Sequence, residues 1–236
     1  MDSGTDTTLT APLPPPPPPP RAPSASLSCH RYPAALNDVA AAYLHLVEDC
    51  GVPPDRVVVC GESAGGGLAM ALVLWLLEHK GTAMLPAQVF MLSPWLDLAC
   101  SSGSWDRHFW TDLVPKPSAA PLSAGAAYVG VGSVTDPLIS PFHATDADLA
   151  KLAHAKACTF AIQVGRREGV LDEAVLFAQR LQASGCDVQL EAFPDMVHVF
   201  QTLPVPDAAD ALRKFGALVR RRLAAPGLRA NTASAL

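Results

Sequence analysis

Charge is scarce in this 236-residue chain: Asp, Glu, Lys and Arg together make up 17% of it, and the net charge is −5. A nucleic-acid binder normally shows a basic face, so that class of partner is set aside. The one basic cluster, Arg220-Arg221-Arg222, reads as a solvated helix C-terminus favoured by the helix dipole. No CxxC pair occurs among the six cysteines, and their spacing suggests neither zinc nor a disulfide framework. They read mostly as small buried hydrophobes in a reducing compartment. No apolar run is long enough for a membrane. The longest, Leu68 to Leu77, extended back to Gly65, gives roughly 20 Å of helix against a hydrocarbon core of about 30 Å. Apolar all round, it predicts a helix buried inside a domain. The first ten residues lack the basic start and apolar stretch of a signal peptide, so the expected location is the cytoplasm.

What is present is half apolar, enough for one domain with a sizeable core. Residues 1–28 stand apart by composition, with seven consecutive prolines from Pro14 to Pro20. Proline fixes φ and has no N–H, which predicts a disordered leader, a linker or a ligand for a polyproline-binding partner. The domain is expected over 29–224, with a flexible tail at 225–236.

Within it, Asn37 or Asp38 is placed to cap a helix that carries Val39, Tyr43, Leu46 and Val47 on one stripe and ends at Gly51. Arg56 to Cys60 reads as a short buried strand leading directly into Gly61-Glu62-Ser63-Ala64-Gly65 and the apolar helix. Further strands are expected at Ala87 to Leu92, Thr159 to Val164 and Val188 to Ala192, and helices at about Leu171 to Ser184 and Asp207 to Leu223. Cys100 to Pro141 reads as irregular. Continuous apolar strands alternating with helices predict an α/β fold, with a mostly parallel sheet covered on both faces.

Reactive groups in such sheets gather beyond the carboxyl ends of the strands. Ser63 lies there in a G-x-S-x-G turn between strand and helix. The sharp turn lifts its hydroxyl clear, at a helix N-terminus where amides such as the Ala64 N–H favour a developing oxyanion. A serine needs a base. His198 is the one histidine of seven in a loop directly after a late strand, where the serine–acid–histidine order of this topology expects it. A carboxylate should hold its tautomer. Glu168 and Asp172 both follow the third strand. Glu168 is favoured because it lies in the loop, whereas Asp172 fits an N-terminal helix position with Glu173. Arg166-Arg167 places two cations beside that acid.

Taken together, Tyr32-Pro33-Ala34-Ala35-Leu36, Gly61 to Ala69 (GESAGGGLA), Leu92 to Asp97 (LSPWLD), Asp136 to Pro141 (DPLISP) and Asp195 to Phe200 (DMVHVF) resemble the hormone-sensitive-lipase-like branch of the α/β-hydrolases. The resemblance runs from about residue 31 to the last helix. It implies a triad of Ser63, Glu168 and His198, and hydrolysis of short-chain or aryl esters without metal or organic cofactor. It also implies a His-Gly-Gly-Gly segment and several strands upstream. Here no His precedes a Gly, so the expectation is a partial fold lacking N-terminal strands, with an exposed sheet edge open to self-association. Three functions follow: a carboxylic-ester hydrolase acting on a small-molecule ester, a catalytically impaired homologue serving as an interaction module, and a peptidase or amidase on the same scaffold.

Overall fold

The computed structural model describes residues 30–116 and 124–224. The leader at 1–28 and the tail at 225–236 lie outside the described residues. In chain order the elements are α1 (Ala34–Leu44), β1 (Val58–Glu62), α2 (Ala64–His79), β2 (Gln88–Leu92), α3 (Ser104–Arg107), α4 (Ala124–Val129), α5 (Asp146–Ala155), β3 (Thr159–Gly165), α6 (Leu171–Ala183), β4 (Val188–Phe193) and α7 (Pro206–Ala224). The four strands form one all-parallel sheet in the order β1-β2-β3-β4.

Alternation along the strands divides the core between the two faces. Val89, Met91, Phe160, Ile162 and Val164 pack with the main cluster, which includes Leu36 of α1, Met70, Val73 and Leu76 of α2, Leu149 of α5 and Phe177 of α6. Phe90, Leu92 and Ala161 point the other way, toward Phe215 and Leu218 of α7, with the Phe90 and Phe215 rings 4.1 Å apart. Helices therefore cover both faces, as expected. Among the described residues no helix is long and apolar enough to cross a membrane, and α2 is the buried core helix that its sequence predicts.

Several local expectations change. Asn37 and Asp38 do not cap α1, which starts at Ala34; the Asn37 N–H already bonds the Pro33 carbonyl at 2.9 Å. The first strand begins at Val58, because Pro54–Arg56 forms a 3-10 turn. Nor is β1 buried. It is an edge strand paired only with β2 among the described residues, with Cys60 and Glu62 exposed. Of the five described cysteines, Cys100, Cys158 and Cys186 are buried, whereas Cys50 and Cys60 are exposed. Arg222 is no free surface cation: it donates to the Ala87 and Ala157 carbonyls at 2.9 and 2.8 Å, fastening the end of α7 to the sheet. The stretch from Cys100 to Pro141 includes the short helices α3 and α4.

One buried carboxylate anchors the chain as it leaves β2. Glu173, in the first turn of α6, accepts the Leu96 N–H at 2.7 Å, the Asp97 N–H at 3.2 Å and the Trp105 Nε1–H at 3.1 Å. Burial pushes its carboxyl up to about 8, against the pull of those donors. The fold then keeps a proton that the unfolded chain gives up above its ordinary value of 4.5, so this contribution is complete below that pH and is lost as pH rises toward 8. Melting temperature is expected to fall between pH 5 and 8. In Glu173→Gln, which cannot ionise, that fall should be shallower in a thermal-melt series.

Candidate active site

The sequence places a strand, one residue and a helix almost on top of one another at Gly61 to Gly65, and where they meet glycine is needed. A Cβ on Gly61 would run into the Gly65 carbonyl, and one on Gly67 into the Trp95 carbonyl. Ser63 takes φ 51° and ψ −122°, a region that a residue with a Cβ rarely adopts, at a cost on the order of 1–3 kcal/mol. Its own main chain holds it there. The Ser63 N–H donates to the Leu92 carbonyl at 2.9 Å, and the Ser63 carbonyl accepts from Gly66, Gly67 and Trp95 at 3.0, 3.2 and 2.9 Å. The hydroxyl is thereby projected beyond the sheet at the start of α2. Ala64 opens that helix, and first-turn amides have no partner within a helix.

β4 ends at Phe193, and the loop beyond it carries His198. The Nε2 of that ring lies 2.8 Å from Ser63 Oγ. β3 ends at Gly165, and the following turn directs Glu168 under the same ring, with Oε2 3.0 Å from Nδ1. Ser63, Ala64, Glu168 and His198, the four residues singled out from the sequence, thus lie together beyond the carboxyl ends of β1, β3 and β4. Asp172 lies elsewhere: it sits in the first turn of α6 and pairs with Arg107 at 2.5 Å. Arg166 and Arg167 do not crowd the acid. Their side chains are exposed, and their N–H groups bond the Phe193 and Met196 carbonyls at 2.9 and 3.0 Å.

Burial is graded across the three side chains. Glu168 is fully buried, His198 is 8% exposed, and Ser63 is partly open. Burial pushes the Glu168 carboxyl above its usual value, opposed by His198, the Gly165 N–H and the Ser93 hydroxyl. Ser93 was missed in the sequence. Its hydroxyl donates to Glu168 Oε1 at 2.8 Å and accepts the Val199 N–H at 3.1 Å, so it ties Glu168 to the residue after His198. It lies 75 residues from Glu168, and only its place at the end of β2 could have pointed to it.

Beside the Ser63 turn is a cavity of about 250 Å³, lined by Ala64, Leu68, Trp95, Tyr128, Leu138 and Ile139 among others. Its wall is almost wholly apolar. Four of the five segments that suggested the resemblance contribute to it, through Ala35, Ala64 and Leu68, Trp95, and Leu138 and Ile139.

A family model described as the α/β-hydrolase fold matches residues 26–202. The chain belongs to that family. Among its relatives, an acetyl-hydrolase of Streptomyces hygroscopicus is 36% identical over 191 residues, covering 80% of this chain and 60% of the relative. An esterase of Acinetobacter venetianus is 28% identical over 187 residues, covering 78% and 57%. Among solved structures, a hormone-sensitive lipase from a metagenome library superposes with a TM-score of 0.69 at 32% identity, covering 82% of this chain and 62% of that one. The chain thus spans about three fifths of the length of these relatives.

The geometry makes the choice of acid testable. Replacing the Asp of a Ser-His-Asp triad by Asn lowers turnover by about 10⁴. Glu168→Gln is therefore expected to slow fluorophosphonate labelling of Ser63 by on the order of 10²–10⁴, while Asp172→Asn leaves it within about threefold, a surface-pair effect. Labelling rates followed by intact-protein mass spectrometry check this. A larger loss at Asp172 would move the acid.

Proposed function

We propose that the chain hydrolyses carboxylic esters of small acids or aryl alcohols through an acyl-enzyme on Ser63. The observation that carries this reading is the unbroken hydrogen-bonded line from Ser63 Oγ through His198 to Glu168. His198 Nε2 takes the hydroxyl proton as Ser63 Oγ attacks the acyl carbon. The tetrahedral oxyanion forms against the Ala64 N–H at the start of α2. His198 then returns the proton to the leaving alcohol. Water then attacks the acyl carbon as it gives a proton to the same Nε2, and His198 passes that proton to Ser63 Oγ as the acid leaves, which restores both residues. Throughout, Glu168 holds the Nδ1–H tautomer and balances the imidazolium charge.

The apolar cavity supports small substrates, since 250 Å³ lies just under the common range of about 300–1,000 Å³ for ligand pockets. The names of the relatives, acetyl-hydrolase and esterase, support the same bond class. Esters are favoured over amides on that ground.

A second reading is favoured by the outer side of β1, which has no strand partner among the described residues and whose Cys60 and Glu62 are exposed. An unpaired edge is a template for another strand, and this reading has the chain self-associate there. The two readings are compatible: the edge lies next to the Ser63 turn, and oxyanion donors beyond Ala64 would have to approach from a neighbouring segment. One such donor is worth about 2.7–4 kcal/mol, or on the order of 100- to 1000-fold in rate.

p-Nitrophenyl acetate, butyrate and octanoate are expected to be cleaved in falling order, p-nitroanilides far more slowly, and none by Ser63→Ala. Hydrolysis that survives Ser63→Ala, or no labelling of Ser63 by a fluorophosphonate in folded protein, would overturn the esterase reading. Light scattering is expected to show association of the chain. Fusing the upstream segment of a complete relative before Tyr32 should reduce association and raise turnover; a monodisperse native chain as active as the fusion would refute the edge reading.

A further inference from the structure

The excursion between β2 and β3 supplies no reacting group to the chemistry proposed above, yet a second of its side chains, besides Ser93, reaches both loops that carry it. Asp112 Oδ1 accepts the main-chain N–H of His198 at 2.8 Å. Its Oδ2 accepts the N–H of Gly169, the residue after Glu168, also at 2.8 Å. A third bond, from the Leu113 N–H to Oδ1 at 2.8 Å, fixes the carboxylate on its own loop. A single side chain therefore joins the turn after β3 to the loop after β4.

We propose that Asp112 is a positioning residue, a clamp that holds the main chain at His198 and Gly169 so that the imidazole meets Ser63 and Glu168 at the same time. The catalytic part of this proposal rests on the esterase reading. The chemistry of the clamp is specific. A carboxylate only accepts, so it matches two N–H groups at its two ends. Asparagine has nearly the same shape, but its amide nitrogen would face one of those N–H groups donor to donor. One loop would be released, with the side chain's volume unchanged. Misplacement of about 1 Å in a reacting constellation can cost on the order of 100-fold in rate. Asp112 sits behind both loops and bonds only main chain there, so substrate affinity should not depend on it.

The test uses the full chain and Asp112→Asn, with Asp106→Asn as a control in the same excursion, where Asp106 pairs with Lys116 on the surface. Asp112→Asn is expected to lower kcat for p-nitrophenyl butyrate by about 10- to 100-fold, with KM within about twofold, and to slow fluorophosphonate labelling of Ser63 by the same factor. Hydrogen exchange at the His198 and Gly169 amides should quicken by about tenfold or more while exchange in α2 is unchanged. Asp106→Asn should change none of these. Turnover and labelling within about twofold of the parent, or an equal loss in Asp106→Asn, overturn the proposal. If the parent chain shows no Ser63-dependent turnover, the esterase reading fails, and the two amides still decide whether the clamp exists. Should Asp112→Asn not fold, exchange in the parent chain decides: protection of both amides supports the clamp, and exchange at the rate of an open loop refutes it.

Discussion

The close approach of β1 to α2 constrains everything around the site. The carbonyl of Ser63 receives three N–H groups, from Gly66, Gly67 and Trp95, and can do so only because glycine lets the helix settle onto the ends of β1 and β2. A Cβ on Gly66 would meet that of Pro94 at 2.8 Å. The strained φ of Ser63 persists because α2 cannot back away: Met70, Val73 and Leu76 are fully buried beneath the sheet. Packing of an apolar helix thus fixes where a polar hydroxyl stands.

Two buried carboxylates lie near one another in sequence and serve different ends. Glu168 meets an imidazole as well as Ser93 and the Gly165 N–H, so its negative charge has a partner that can become positive. Glu173 meets only N–H donors, and burial weighs more heavily on it. The first arrangement suits a group whose ionised form steadies a transient imidazolium. The second suits a group that fastens chain to chain.

The strands, and the meeting of Ser63, His198 and Glu168 with Asp172 left apart from them, were legible because each depends on local pattern: apolar runs, a glycine-flanked turn, a loop position just past a strand. The start of α1 was misread because Asn37 and Asp38 are good caps in isolation, while the chain after Pro33 already turns helical at Ala34. Helix α5 went unread, although Thr145 caps it by accepting the Asp148 N–H; its short, mixed sequence carries only a weak apolar stripe. The exposure of β1 was hidden because a run of valines looks the same at the centre of a sheet as at its edge. Ser93 and Asp112 act across 75 and 86 residues, and no local pattern reports a contact at that range.

In the mechanism proposed for the chain, the proton-handling side of the site and the oxyanion side differ in how much of the described chain supports them. Glu168 and His198 follow β3 and β4, and Ser93 and Asp112 brace the two loops that carry them. Ser63 stands on β1, whose outer edge has no neighbour among the described residues. Positioning of the base is therefore intrinsic to these residues, while charge stabilisation opposite Ala64 is open to whatever lies along that edge. An added segment there would strengthen interactions made only as the oxyanion develops, which raises kcat more than it lowers KM. Phosphonylation of Ser63 passes through a comparable build-up of negative oxygen, so it would respond in parallel with turnover. A change confined to the Asp112 brace would instead act through the base, leaving any dependence on an added edge segment as it was. The two sides of the site are thus separable, and their effects on rate should combine nearly independently, since they reach Ser63 through different elements.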